Sequence, residues 1–184
     1  MKTNFFETKR LILRPWLESD IEPFYKINQN PKVIEFLAGA MSLEEIKNFI
    51  SDVNIHIEKR GFGLWAVELK ESHELIGFTG LKYQDFAAHF TPCIEIGWRL
   101  DSKYWGNGYA TEAASEALKI GFQKFNLKEI VSFTVPQNLR SQAVMKKLGM
   151  ERDFNGDFNH SKLPINHHLS KHILYRISAA KMAV

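Results

Sequence analysis

The chain has 184 residues, of which 45% are hydrophobic and 12% aromatic, so the composition predicts one globular domain spanning residues 1–184. The formal net charge of +3 is small and the basic residues are scattered, which argues against nucleic-acid binding. The single cysteine excludes an intramolecular disulfide framework, and the polar N-terminus and short apolar runs argue against a signal peptide or a membrane span. We therefore expect a cytoplasmic protein, either a monomer or a homodimer.

The first half of the chain predicts a strand, two helices and a β-hairpin. The second helix has the clearest signature, because Ser42 and Glu45 form a capping box and apolar residues recur every three or four positions until Gly61. In chain order, the predicted elements are a strand through Leu11 and Leu13 stopped by Pro15, a helix capped by Asp20 and ending near Asn28, a helical turn at 31–37, the helix that begins after Ser42, and strands at 65–69 and 75–81.

The second half centres on a predicted strand, glycine turn and helix. Ile94, Ile96, Trp98 and Leu100 alternate as in a strand with one buried face, and an alanine-rich helical pattern follows from residue 109. The remaining predicted elements are a strand at 130–135, a helix that starts at Pro136 or Asn138 and closes at Gly149, a polar loop at 154–168, and a last strand through Ile173, Tyr175 and Ile177. This order predicts an α/β fold with a mixed sheet of about seven strands and about four helices.

The turn between Lys103 and Ala110 predicts an anion site. Gly106 and Gly108 can adopt positive φ and let a ligand approach the backbone. The helix that follows presents unpaired N–H groups and the positive end of its dipole, and no acidic side chain lies within the turn. A phosphate-bearing ligand is the natural hypothesis.

Three phosphate-binding patterns compete for this turn. No P-loop string occurs in the chain. A nicotinamide-nucleotide enzyme is disfavoured because Thr111 stands where the dinucleotide fingerprint needs glycine or alanine, and because Glu129 precedes the next strand instead of ending it. The third pattern, Gln/Arg-x-x-Gly-x-Gly/Ala after a strand, resembles motif A of the GNAT N-acetyltransferases, with Lys103 in the Gln/Arg place.

A longer string strengthens this resemblance. The residues Glu95-Ile96-Gly97-Trp98 and Tyr104-Trp105-Gly106-Asn107-Gly108-Tyr109-Ala110-Thr111-Glu112-Ala113 are similar to the RimJ/RimL-like branch of that family, which acetylates protein N-termini and other amines. The opening string Thr8-Lys9-Arg10-Leu11-Ile12-Leu13-Arg14-Pro15-Trp16 resembles the same branch, as does the helix that starts at Asn138. The resemblance implies the GNAT fold with splayed central strands, acetyl-CoA as cosubstrate and no metal.

The resemblance also implies which residues hold acetyl-CoA. In the family, one central strand pairs with the pantetheine arm, the following turn holds the pyrophosphate, and a later helix lies near the thiol. The corresponding residues here are Trp98, Arg99, Leu100, Lys103, Trp105, Gly106, Asn107, Gly108, Tyr109, Ala110, Asn138 and Ser141.

Catalysis needs a base for the amine, a donor for the oxyanion and a group that assists the leaving thiolate. Glu95 is the first candidate base, with a salt bridge to Arg99 as the structural alternative and Glu68 as a second candidate base. A free strand N–H near Trp98 suits the oxyanion. Ser141 can hydrogen-bond the departing sulfur, although this residue and Asn138 are also ordinary helix caps.

Other reactive side chains have weaker patterns. Phe154 lies where many family members carry a tyrosine acid, so the acid assignment is open. Cys93 has no histidine nearby in sequence to activate it. His168 and His172 are four apart, but the surrounding alternation favours a strand over a metal-binding helix, and a role on the substrate side suits His160 or Tyr175.

We therefore expect an enzyme that moves an acetyl group from acetyl-CoA directly to a primary amine, which is either a protein N-terminus or a small molecule. The alternative is a non-catalytic CoA-binding or regulatory module on the same fold.

Overall fold

A computed structural model of the chain describes residues 5–182, which form one mixed sheet with helices on both faces. The strands are β1 (Phe6–Glu7), β2 (Leu11–Arg14), β3 (Leu64–Leu69), β4 (Leu75–Gln84), β5 (Cys93–Leu100), β6 (Glu129–Thr134), β7 (Glu151–Asn159) and β8 (Lys171–Ser178). The α-helices are α1 (Ile21–Gln29), α2 (Pro31–Ile34), α3 (Leu43–Arg60), α4 (Tyr109–Gln123), α5 (Leu139–Lys147) and α6 (Ala179–Met182).

The strand order is β1-β2-β3-β4-β5-β6-β8-β7, and β5 and β6 form its parallel pair. These two strands share one register pair, Glu95 with Val131, and Ser132 Oγ donates to the carbonyl oxygen of Ile96 at 2.9 Å. Beyond this point β5 and β6 diverge, so a wedge-shaped gap opens in the middle of the sheet. The predicted α/β fold with splayed central strands is confirmed, with eight strands where about seven were expected.

The two faces of the sheet carry different helices. On one face α4 lies close to the strands. Gly121 permits this approach, because a Cβ at this position would fall only 2.8 Å from Ile130 Cδ1. On the other face α1 and α3 cover the hairpin of β3 and β4, and the ring of Phe78 lies 5.9 Å from that of Phe24 and 5.7 Å from that of Phe49. Helices therefore cover both faces in the middle of the sheet, whereas the edge strand β7 is largely exposed.

The ends of α3 follow the local signals in the sequence. Ser42 accepts from the N–H of Glu45, whose side chain accepts from the N–H of Ser42, and Gly61 ends the helix with φ of 80°. The prediction for Asp20 was wrong in its detail. It precedes α1 but makes no cap, because its carboxylate accepts from Arg14 Nη1 at 2.6 Å and from the N–H of Leu17 at 2.8 Å.

The prediction of a polar loop at 154–168 was wrong for its first six residues, 154–159, which belong to β7. This edge strand pairs with β8, and its register shifts between Asp153 and Phe158. Most of its residues are at least partly exposed, so it lacks the apolar alternation that marks a strand in the sequence. The two-residue strand β1 and the short helix α6 were also not predicted.

Within residues 5–182, no helix has both the length and the apolar content that a membrane crossing requires.

Candidate active site

A groove of about 320 Å³ lies where β5 leaves β6, between the start of α4, the helix α5 and the segment 32–37. Ten of the residues predicted to bind the cofactor line it: Trp98, Arg99, Leu100, Trp105, Gly106, Gly108, Tyr109, Ala110, Asn138 and Ser141. The fold thus brings together predicted residues from two separate segments of the chain, 98–110 and 138–141.

The glycine turn has the geometry of an anion site. Gly106 and Gly108 both have φ of 80°, a conformation that favours glycine. The first backbone bond of α4 runs from the N–H of Glu112 to the carbonyl oxygen of Gly108 at 3.0 Å. The N–H groups of residues 109–111 therefore have no acceptor within the helix and are available to a ligand.

Glu112 does not oppose an anion at this turn, because the turn between β1 and β2 supplies donors and a cation that neutralise its carboxylate. Its carboxylate accepts from Thr8 Oγ1 at 2.6 Å, and from the backbone N–H and Nε of Arg10 at 2.9 and 2.7 Å. The guanidinium of Arg10 also lies 4.3 Å from the centroid of the Tyr109 ring. Arg10 is thus a cation beside the turn that the sequence analysis did not assign to the site, although the opening motif contains it.

Two predicted cofactor residues do not line the groove. Lys103 Nζ pairs with Glu74 at 2.5 Å, on the far side of the turn. Asn107 donates from its side-chain amide to the carbonyl oxygens of Tyr104 and Trp105, at 3.2 and 3.3 Å, and so closes the turn. The positive charge expected from Lys103 therefore has to come from elsewhere.

Other basic residues line the groove instead, namely Lys32, Arg140 and Lys147. The guanidinium of Arg140 lies 4.7 Å from the Trp105 ring centroid and 5.5 Å from that of Phe36, and it pairs with Glu35. This stack joins the segment after α2 to α5 across the mouth of the groove. Arg140 thus offers the groove a planar guanidinium that can donate two parallel hydrogen bonds to a phosphate, which the ammonium group of Lys103 cannot do.

The backbone of β5 has free hydrogen-bonding groups along the groove. The carbonyl of Ile96 points toward β6 and accepts from Ser132, whereas that of Gly97 points toward β4 and accepts from Thr79 Oγ1 at 3.1 Å. By alternation, the N–H and C=O of Trp98 point toward β6, which has already diverged. These groups can pair with an extended ligand that carries amides.

Glu95 lies on the opposite face of β5 from α4, in a recess that solvent reaches in part. Gln84 Nε2 donates to its carboxylate. Burial raises the pKa of Glu95 to about 7, although that hydrogen bond and the charges of Lys82 and Lys162 act in the opposite direction. A carboxyl group with this pKa can exchange a proton near neutral pH, as a general base must.

The salt bridge between Glu95 and Arg99, considered as the structural alternative, is not formed. The guanidinium of Arg99 donates instead to Asn28 Oδ1 of α1. Between these two residues, a Cβ built on Gly97 would meet no atom within 4 Å. Open space therefore separates the carboxyl group from the guanidinium on this face of the strand.

Glu68, the second candidate base, has a structural role. Its carboxylate accepts from Arg14 Nε at 2.6 Å and contacts His73 Nδ1 at 2.8 Å. Burial alone would raise the pKa of Glu68, but the hydrogen bonds with Arg14 and His73 outweigh burial and lower this pKa. A carboxylate held in its ionised form by a cation is a poor base.

The start of α5 gives two different results. Asn138 caps the helix, since its Oδ1 accepts from the N–H of Ser141 at 3.1 Å, and its amide donates to Thr134 Oγ1 at 3.1 Å. Ser141 lines the groove, as does Trp98. Phe154 is 82% exposed on β7, and Tyr175 is 2% exposed and donates to Gln142 at 3.2 Å.

Cys93 and the histidines show no catalytic arrangement. Burial raises the pKa of the Cys93 thiol to about 11, so the thiolate is scarce. His172 lies in β8, and burial lowers the pKa of both His160 and His172. Among residues 5–182, no three His, Cys, Asp or Glu side chains are grouped as metal ligands would be.

Comparisons with known proteins agree with this architecture. The family model described as "Acetyltransferase (GNAT) domain" matches residues 10–151. YnaD of Bacillus subtilis (strain 168), described as an uncharacterized N-acetyltransferase, is 33% identical over 148 residues, which are 79% of this chain and 82% of YnaD. The chain therefore belongs to the GNAT acetyltransferase family.

Solved structures share the fold. An acetyltransferase (GNAT family) from Bacillus anthracis is 29% identical and superposes with a TM-score of 0.79 over 96% of this chain and 99% of its own. Spermidine N-acetyltransferase from Vibrio cholerae, solved in complex with CoA and spermine, is 19% identical with a TM-score of 0.74 over 96% of this chain and 100% of its own.

Proposed function

We propose that this protein transfers an acetyl group from acetyl-CoA directly to a primary amine, within a ternary complex. The amine belongs either to a small molecule or to a protein N-terminus, as in the RimJ/RimL-like branch. The observation that carries the proposal is the gap between β5 and β6. It joins an anion site at the start of α4 to the free backbone of Trp98, and Glu95 lies three residues earlier on the same strand, outside the groove lining.

The residues of the groove fit the chemistry of acetyl-CoA. Its phosphates suit the free N–H groups of residues 109–111, with Arg140 and Lys147 as nearby cations. Its pantetheine arm carries two amides, which suit the unpaired N–H and C=O of Trp98. When bound, acetyl-CoA supplies an acetyl group activated as a thioester.

The chain supplies three functions for the transfer. Glu95 is positioned on the open side of Gly97 to accept a proton from the amine, directly or through water. The N–H of Trp98 can donate to the carbonyl oxygen as negative charge develops on it. The hydroxyl of Ser141 can donate to the departing sulfur, the task that a tyrosine has in many relatives.

A non-catalytic CoA-binding module is the second candidate, because the expected tyrosine is replaced by the exposed Phe154. The two functions are separated by measuring release of the CoA thiol from acetyl-CoA with a panel of amines. An enzyme releases thiol in proportion to acetylated amine, and the Glu95→Gln variant loses most of this rate while it still binds CoA. Glu129→Gln changes an exposed carboxylate that pairs with Arg176, so it is the matched control and keeps its rate.

CoA binding without thiol release from any amine would favour the non-catalytic module. Equal rates in wild type and Glu95→Gln would remove Glu95 as the base but leave the enzyme in place.

A further inference from the structure

Among residues 5–182, the partners of the Arg99 guanidinium include no anion that balances its charge. Its Nη1 donates to Asn28 Oδ1 and lies 3.6 Å from the sulfur of Met41, and both acceptors are neutral. Its Cζ lies 5.5 Å from the Phe78 ring centroid, and this cation–π contact offsets a part of the cost of burying the charge. Burial lowers the pKa of Arg99 to about 10. Arg99 keeps some access to solvent through the groove, but a guanidinium that is partly withdrawn from water is still costly unless an anion pairs with it.

The position of Arg99 relates this charge to the proposed reaction. Glu95, Gly97 and Arg99 alternate onto one face of β5, and residues two apart on a strand are separated by roughly 6.6 Å. The space above Gly97 is open. A small molecule over Gly97 therefore lies within reach of the carboxyl group on one side and of the guanidinium on the other.

The remaining charges around Glu95 are also positive. Lys82 is the register partner of Glu95 on β4, and Lys162 acts on the same carboxyl group. Glu95 itself is largely neutral below neutral pH. A polyamine needs several carboxylates around it, whereas an acceptor with a negative charge finds cations on both sides of Gly97.

We propose that the acceptor is an amine that carries a carboxylate, of the amino-acid type, and that Arg99 binds this carboxylate; the inference rests on the proposed acetyl transfer. The guanidinium can offer a planar fork of donors to a carboxylate, which places the amine over Gly97 beside Glu95. The neutral amine nitrogen bonds to the acetyl carbon and the carbon–sulfur bond breaks with its electron pair on sulfur. One amine proton goes to Glu95 and from it to water, and the sulfur takes one proton from water, so the products are an N-acetylamino acid and CoA with Glu95 again ionised.

The test compares each proteinogenic L-amino acid with its own amide, in which the carboxylate is replaced by a neutral group of similar shape. In the wild-type protein we expect kcat/KM for the best acid to exceed that for its amide by about ten- to a hundredfold, the range for a hydrogen bond to a charged group. In Arg99→Met the ratio falls to about one, whatever the absolute rate. Arg99→Lys keeps the charge and recovers a part of the ratio.

Lys119→Met is the control, since it removes an exposed positive charge from α4, on the opposite face of the sheet from the proposed carboxylate site. Its acid-to-amide ratio stays within about threefold of the wild-type ratio, as expected for an exposed charge. Arg99→Met also leaves the Oδ1 of the buried Asn28 without its donor, so its melting temperature is expected to fall, and the acid-to-amide ratio is the readout that such a loss of stability does not change.

Binding of the same acids and amides to the protein saturated with CoA, measured by calorimetry, separates the two proposals. Acid binding that depends on Arg99, without turnover, upholds this inference and contradicts the acetyl transfer. Turnover of amides or of spermidine in preference to every amino acid overturns this inference and leaves the acetyl transfer intact. The inference is also overturned when none of the acids binds.

Discussion

Replacing Glu95 by glutamine has opposite effects on activity and on stability, and the signs follow from its position. The pKa of Glu95 rises from 4.5 to about 7 on folding because the side chain is buried. Between these pH values the native state holds more protons than the unfolded state, so its stability falls as pH rises. Each pKa unit corresponds to about 1.36 kcal/mol. The ionised Glu95 therefore lowers the free energy of unfolding by at most roughly 3 kcal/mol above pH 7.

Solvent in the recess reduces this figure, so we expect Glu95→Gln to be more stable than the wild type by about 1–3 kcal/mol at pH 8. For a domain of this size the gain raises the melting temperature by about 2–10 °C. At pH 4 both forms are neutral at this position and the two melting temperatures coincide. At pH 8, kcat/KM for acetyl transfer is lower in Glu95→Gln than in the wild type by about a hundredfold to ten-thousandfold, which is the usual contribution of a general base.

The assay is a pair of pH series on wild type and Glu95→Gln, one of melting temperature and one of thiol release. The wild-type rate rises with an apparent pKa near 7, and the variant loses this rise. A variant that is less stable than the wild type at pH 8 would refute the reasoning, because that sign belongs to a carboxylate held by a salt bridge.

The groove and the glycine turn allow two further predictions. Arg140→Ala raises the dissociation constant of CoA by about ten- to a hundredfold in calorimetric titrations, whereas Lys103→Ala changes it by less than about threefold because Lys103 lies outside the groove that Arg140 lines; the reverse order would restore Lys103 to the site. Gly108→Ala forces a side chain into φ of 80°, so it costs about 1–2 kcal/mol of stability and weakens CoA binding, and an unchanged melting temperature would contradict the strained geometry.

Elements with local signals could be predicted from the sequence. The capping box at Ser42 and the left-handed Gly61 define α3 because each depends on residues within a few positions. The alternation of β5 and the two glycines before α4 are equally local. The groove follows from them once the family resemblance supplies the arrangement of the strands.

Features that depend on distant partners could not be predicted. The edge strand β7 is held by its pairing with β8, which no periodicity in its own residues reveals. Lys103 is drawn to Glu74, 29 residues away, and Arg99 to Asn28, 71 residues away. The charge of each residue was visible in the sequence, but the partner that decides its role was not.

The most direct test of the central claim is a thermal melt of the protein with acetyl-CoA, CoA or NADH. A ligand at about a hundred times its dissociation constant adds roughly 2.7 kcal/mol, which raises the melting temperature by about 5–11 °C for a domain of this size. We predict this rise with acetyl-CoA and CoA, and little change with NADH. A rise with NADH alone, or no rise with either CoA species, would contradict the assignment of the gap between β5 and β6 as the acetyl-CoA site.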